Sequence, residues 1–259
     1  MKPKMLNSGE LMNKILYSLD HQVPLSVVSV GATETFVLAQ YHVLSESKFM
    51  KHDEARVAKK GKKRGHEHRG IRFPNINARD LAIQALRKVD VVGYNLLLWY
   101  DMESGQLTEK VFDHYDIWPK YIFEAHIRRV IMFSQQEKFH QMLQNRKILI
   151  VCSYADEVKK ALISKLQNKL HFEIVATVKI EEFEDLERSK EEIKQYNFDL
   201  CLLAAGINAV ILAPFISSNL GKVAFDLGQG MESLITGEIV DEPKGFIENT
   251  IGLDNLLKL

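Results

Sequence analysis

Apolar positions along the chain follow two rhythms that alternate. Leu11, Ile15, Leu16 and Leu19 recur at helical spacing, with Asn7 or Ser8 in place to cap the helix they predict. LSVVSV (Leu25–Val30) is a short β-branched run with Pro24 at its edge, where a missing N–H is tolerated in a strand. Thr33–Leu44 reads as a helix, and residues 45–74 hold no clean period. Asn77 can cap a helix over Ala78–Lys88, which leads into the strand VDVVG (Val89–Gly93). Further on, KILIVC (Lys147–Cys152), FEIVATV (Phe172–Val178), FDLCLLAA (Phe198–Ala205) and KVAFDL (Lys222–Leu227) predict strands. Helical spacing separates them: Ala155–Leu170 after a possible Ser153 cap, the charged Glu181–Gln195, and a helix from Gly206 to about Asn219. Within the charged helix, Glu184 precedes Arg188 by four residues, a favourable orientation for an ion pair. The segment Phe246–Leu259 is amphipathic through Ile247, Ile251, Leu253, Leu256 and Leu257, and suits packing on the domain or on a partner.

Strands that are apolar throughout and separated by helices predict an α/β, Rossmann-like fold: a mostly parallel sheet with helices on both faces. With no internal repeat, linker or composition break, residues 1–259 read as a single domain.

Composition narrows the function. The 259 residues are 46% hydrophobic and balance 34 Lys and Arg against 34 Asp and Glu, which excludes intrinsic disorder. Without an overall positive field, nucleic acid is not an expected partner. Cys152 and Cys201 both lie in apolar runs and read as reduced thiols, in keeping with a cytoplasmic protein. The start, MKPKMLNSGELMNK, lacks the apolar stretch of a signal peptide. Gly206, Asn208 and Pro214 interrupt the longest apolar run, so no membrane span is expected. Charge is uneven in one place: Ser47–Arg72 carries ten Lys or Arg against three acids, with three glycines between Gly61 and Gly70. A mobile basic loop at about 47–72 follows, either a solvated surface or a lid over an anionic ligand.

In an open parallel sheet ligands bind beyond the carboxyl ends of the strands, which turns the strand assignments into a short list of candidates. Gly31 to Glu34 follow the first strand, Ser153 and Tyr154 follow the strand ending at Cys152, and Gly206 to Asn208 follow Ala205. Gly206 lets backbone approach a ligand at a helix start, where unpaired N–H groups suit a phosphate. Asp226 ends an apolar strand, and a carboxylate there needs a partner, a metal, a ligand or an Asx turn to satisfy it. His66 and His68 lie two residues apart in the basic segment without a third metal ligand in view. No P-loop, GxSxG, HExxH or GxGxxG occurs, which removes the usual support for P-loop kinase, hydrolase and ordinary dehydrogenase readings.

LSVVSVGATETFVLAQ in the first block and FDLCLLAAGINAVILAPFISSNLGKVAFDLGQGMES in the second, with Pro74, Asn75, Arg79, Asp80 and the EKF of Glu137–Phe139 between, resemble the bacterial glycosyltransferases of the GT-D fold. Members commonly read RxGDGE…LAQ in the first block and D-hydrophobic-x-LxxxGxxAxxLA…GKxAxDxG in the second. The resemblance implies transfer of a sugar from a nucleotide-sugar donor to an acceptor that the sequence does not identify. It also implies an Asp-x-Glu motif that helps hold Mn²⁺ or Mg²⁺ at the diphosphate, where the metal offsets charge on the leaving group. On this chain Glu34 keeps the motif's carboxylate and Asp226 would substitute for the missing one if its strand lies close to the first, which makes Glu34 and Asp226 the catalytic and metal-holding pair. Gly31, Gly206 and Asn208 would then lie near the diphosphate, and Lys62, Lys63, Arg64 and Arg69 on a closing loop.

The first block departs from the family pattern. Ser29 stands at the motif's Arg, Ala32 at its Asp and Thr33 at its Gly, while Glu34 matches. Ala32 offers no ligand atom and Ser29 no bidentate phosphate contact. The alternative reading is accordingly a non-catalytic relative that binds a nucleotide or sugar with a decayed metal motif. A third is an unrelated Rossmann-like binding protein.

Overall fold

The computed structural model describes residues 3–59, 70–97, 102–241 and 245–259. Its centre is one eight-stranded sheet. The strands are β1 (Lys4–Met5), β2 (Leu25–Val30), β3 (Val91–Tyr94), β4 (Tyr121–Glu124), β5 (Lys147–Cys152), β6 (Glu173–Val178), β7 (Leu200–Ala204) and β8 (Val223–Asp226). Their order is β1-β4-β3-β2-β8-β7-β5-β6, and every pairing is parallel. Side chains alternate across the sheet. Val28, Val30, Leu203 and Ala224 join a core on one face with Phe36 and Val210, whereas Val27, Ile150, Leu202 and Phe225 join Met12, Val158 and Met231 on the other. Both faces are covered by helices, so the predicted α/β, Rossmann-like architecture is the one observed.

The connection after β2 places its helix (Ala32–Ala39) in the first core, and the connection after β8 places its helix (Gly230–Thr236) in the second. Adjacent strands whose chains leave to opposite faces open a crevice above their carboxyl ends. That crevice lies above β2 and β8.

Several local expectations need correction. Asn75, rather than Asn77, caps the helix Ile76–Leu86: its Oδ1 accepts from Ala78 N at 2.9 Å. Two hydrogen bonds between Asn75 backbone and the buried Gln40 side chain hold it there. Ser153 caps nothing; Tyr154 takes the N-cap position of Ala155–Leu162 without a side-chain bond. Arg188 pairs with Glu192 at 3.0 Å and Asp185 at 3.4 Å instead of Glu184, because Phe183–Asp185 form a 3₁₀ turn. The expected loop begins as two short helices, Glu46–Lys51 and Asp53–Lys59. Phe49 anchors them: it is fully buried, stacked on Phe36 at 4.1 Å, with the edge of Phe73 against both rings. Residues 60–69 lie outside the described residues. No helix among the described residues is long and apolar enough to cross a membrane. The C-terminal segment forms helices Phe246–Thr250 and Leu253–Lys258, burying Ile247 and Leu256 in the second core.

Candidate functional site

The crevice above β2 and β8 holds a cavity of about 990 Å³. Its lining comes largely from the loops after β2, β3, β4, β5, β6, β7 and β8, the positions where an open parallel sheet presents unpaired backbone to a ligand.

Asp226 lies at its floor, almost fully buried. Oδ2 accepts from Arg128 Nη1 at 2.7 Å and from Ser29 N at 3.1 Å, and Oδ1 accepts from Gly228 N at 3.0 Å. Burial pushes its carboxyl above the usual range, against the opposing pull of the Arg128 charge. Arg128 comes from the helix after β4 (Ile127–Ser134), and its backbone is clasped by the loop after β8. A Cβ on Gly230 would run into Arg128 O, so only glycine permits this approach of two main chains. Arg128 Nη1 is taken by Asp226, and Nε is buried without a partner. Nη2 makes no hydrogen bond among the described residues, and Arg128 lines the cavity.

Glu34 is half-buried in the first turn of its helix. Oε2 accepts from Gly31 N at 3.0 Å, so the Gly31 N–H serves the carboxylate and is not open to a phosphate. Burial raises its carboxyl, Arg128 opposes the rise and the Asp226 charge adds to it. Ala32 and Thr33 line the cavity beside it, and Thr33 Oγ1 donates to Glu54 Oε2 at 2.9 Å. Gly206 also lines the cavity, with a positive φ of 53° at the start of the helix Ile207–Leu220. Asn208 does not reach the lining: it is buried, and its Nδ2 donates to Glu182 O at 3.0 Å, which holds the loop after β6. Lys62, Lys63, Arg64 and Arg69 lie outside the described residues, as do His66 and His68. Gly70, the next residue, lines the cavity. Cys152 and Cys201 are core thiols. Burial pushes Cys152 up to about 12 and Cys201 well above its usual value, which disfavours the thiolate.

The structure adds a group that the hydrophobic pattern did not reveal. Glu124, fully buried at the end of β4, accepts from Leu96 N and Leu97 N at 2.8 Å through Oε2. Its Oε1 accepts from His126 N at 3.1 Å and pairs with His126 Nδ1 at 2.7 Å. His126 lines the cavity, its ring centroid 5.7 Å from that of Phe246, and Arg129 stands 6.0 Å over the same phenyl ring. Arg129 is lowered to about 10, first by burial and then by Arg128. The sequence signal was the run HIRR (His126–Arg129) after the four-residue strand YIFE, too short to stand out by period.

A divalent cation needs oxygen donors that can turn toward it. Both Asp226 oxygens are engaged, one Glu34 oxygen serves Gly31, and position 32 is alanine. The positive charge beside Asp226 is already a guanidinium. Among the described residues no three His, Cys, Asp or Glu side chains gather as a ligand set. As placed, these donors do not gather round Mn²⁺ or Mg²⁺: Asp226, the candidate substitute for the missing motif Asp, holds Arg128.

Residues 6–234 match the GT-D-like family, described as a GT-D fold-like domain. No curated protein and no solved structure matches the chain.

Proposed function

This chain belongs to the GT-D-like family, a glycosyltransferase-like fold, and on that footing we propose that it transfers a sugar from a nucleotide-sugar donor bound in the crevice above β2 and β8. The observation that carries the reading is Arg128, held against Asp226 with Nη2 left over, on the floor of a cavity of about 990 Å³. A guanidinium in a recess screened from water interacts strongly with a diphosphate oxygen. Arg129 adds a second charge from the same helix, and the start of the helix at Gly206 offers backbone N–H groups. Acidic residues of the lining, Glu34 foremost, suit the hydroxyls of a sugar, which donate to carboxylates. In this reading Arg128 and Arg129, in place of a metal, offset the charge that develops on the leaving nucleoside diphosphate. Reduced core thiols and a nucleotide-sugar donor both suit the cytoplasm.

The test is thermal melting with nucleoside diphosphates and nucleotide sugars, each with Mn²⁺, Mg²⁺ or a chelator, followed by donor hydrolysis. A ligand that binds only the folded state raises the melting temperature by mass action. The expected result is a nucleotide-dependent rise that the chelator leaves intact, with slow hydrolysis that Glu34→Ala abolishes. A rise that needs metal would overturn the guanidinium reading, and no rise with any nucleotide would overturn donor binding. Ala32 in the cavity lining favours a second reading, a binder of nucleotide or sugar without transfer. Its mark is the same rise with no turnover.

A further inference from the structure

We infer that Glu124 and His126 form the proton-accepting pair of the transfer, with His126 Nε2 as the base for the acceptor hydroxyl. The inference rests on the proposed sugar transfer and adds to it the residue that meets the acceptor.

The geometry is that of an oriented imidazole. Glu124 is immobilised by two backbone N–H groups of the chain after β3 and by the N–H of His126 itself. A carboxylate that already accepts three N–H groups is an acceptor toward the ring as well, so Nδ1 carries the proton and donates at 2.7 Å. The lone pair is thereby assigned to Nε2. That nitrogen makes no hydrogen bond among the described residues, and His126 lines the cavity that Glu34, Arg128 and Asp226 also line. A base fixed by a third group, in reach of the same recess as the leaving-group cation, is the arrangement an attacking hydroxyl requires.

Burial first, then the nearby arginines, favour the neutral ring. Glu124 faces it from β4, Arg128 and Arg129 from the helix that His126 begins, and Phe246 from the C-terminal segment. Burial lowers the imidazole from its ordinary value, the two arginines lower it further, and Glu124 opposes them. In the transfer, the acceptor O–H bond breaks and its proton passes to Nε2. The oxygen forms a bond to the anomeric carbon, while the bond from that carbon to the diphosphate oxygen breaks with its electron pair on the leaving nucleoside diphosphate. Attack from the face opposite the leaving group inverts the anomeric centre. The charge formed on the ring is held by Glu124.

Two measurements test this. The first is turnover of UDP-glucose, UDP-galactose, UDP-N-acetylglucosamine and GDP-mannose by wild type and His126→Gln across pH, with circular dichroism to establish that the variant folds. His126→Gln should lose about 10²–10⁴-fold in turnover with donor affinity retained. The wild-type rate should fall below pH 6.5 through a limb that the variant lacks. The second is ¹⁵N-histidine NMR of wild type, which needs no turnover. It should find a neutral His126 at pH 7 with the proton on Nδ1, and Glu124→Gln should alter that tautomer or its titration. A His126→Gln rate within about threefold of wild type, or an Nε2–H tautomer, overturns the pair and leaves donor transfer standing. If wild type turns over no donor, transfer fails and the pair fails with it.

Discussion

Arg128 and Asp226 carry the largest electrostatic stake of any pair in the cavity. The guanidinium is 15% exposed and the carboxylate 3%, so each has lost most of its hydration and depends on the other. Breaking such a pair from one side costs about 3–5 kcal/mol, whereas replacing both partners with apolar residues costs far less. Arg128→Met and Asp226→Leu should each lower unfolding free energy by about that amount, and the double variant by less than their sum, as urea denaturation of the cycle would measure. Glu34 makes a separate prediction with a definite sign. Its folded-state value lies above 4.5 because burial disfavours the charged form. The folded protein therefore holds that proton more tightly than the unfolded chain, and the contribution of Glu34 to stability falls as pH rises from 4.5 through the raised value. Glu34→Gln can still accept from Gly31 N, so melting temperature against pH should lose this fall while the rest of the profile stays unchanged. Of the carboxylates named from the chain, Glu34 and Asp226 do meet in one cavity; Asp226 serves Arg128, a partner 98 positions away that no local spacing reveals.

At the scale of elements, caps show how far local chemistry reaches. Asn7 completes a capping box with Glu10 at the start of Ser8–Asp20, as its position in the chain predicts. Asn75 and Asn77 are equivalent by residue type, and the choice between them falls to Gln40, whose side chain grips the Asn75 backbone. Asn75→Ala should cost about 1 kcal/mol in chemical denaturation, and Asn77→Ala only a few tenths. Long strands such as β2 and β5 announce themselves because six and five consecutive residues, respectively, are buried. β4 does not: between a half-buried Tyr121 and a glutamate it has only Ile122 and Phe123 as buried apolar residues. That glutamate is tolerable only because Leu96 and Leu97 bring their N–H groups to it from a distant loop. The missed strand and the missed Glu124–His126 pair thus share one cause.

For the molecule as a whole, the crevice is a product of topology: β2 and β8 lie side by side although about 200 residues separate them, and their chains leave to opposite faces. Phe49 ties the segment beside the cavity to the core through Phe36 and Phe73. Phe49→Ala should therefore destabilise the whole fold by about 3–5 kcal/mol in urea rather than loosen a surface loop. The chain alone determined the α/β class, the principal strands and the positions, Glu34, Gly206 and Asp226 among them, that lie at the carboxyl edge of the sheet. Burial period and strand length are written locally, and the rule for parallel sheets converts them into an edge. Tertiary structure alone decided what those positions do. It set Arg128 beside Asp226, spent Asn208 on the loop after β6, and turned His126 to the cavity under the hold of Glu124. The physical reason is that a buried charge takes its role from its partner, and the partner is supplied by packing across the sheet, where separation along the chain carries no information.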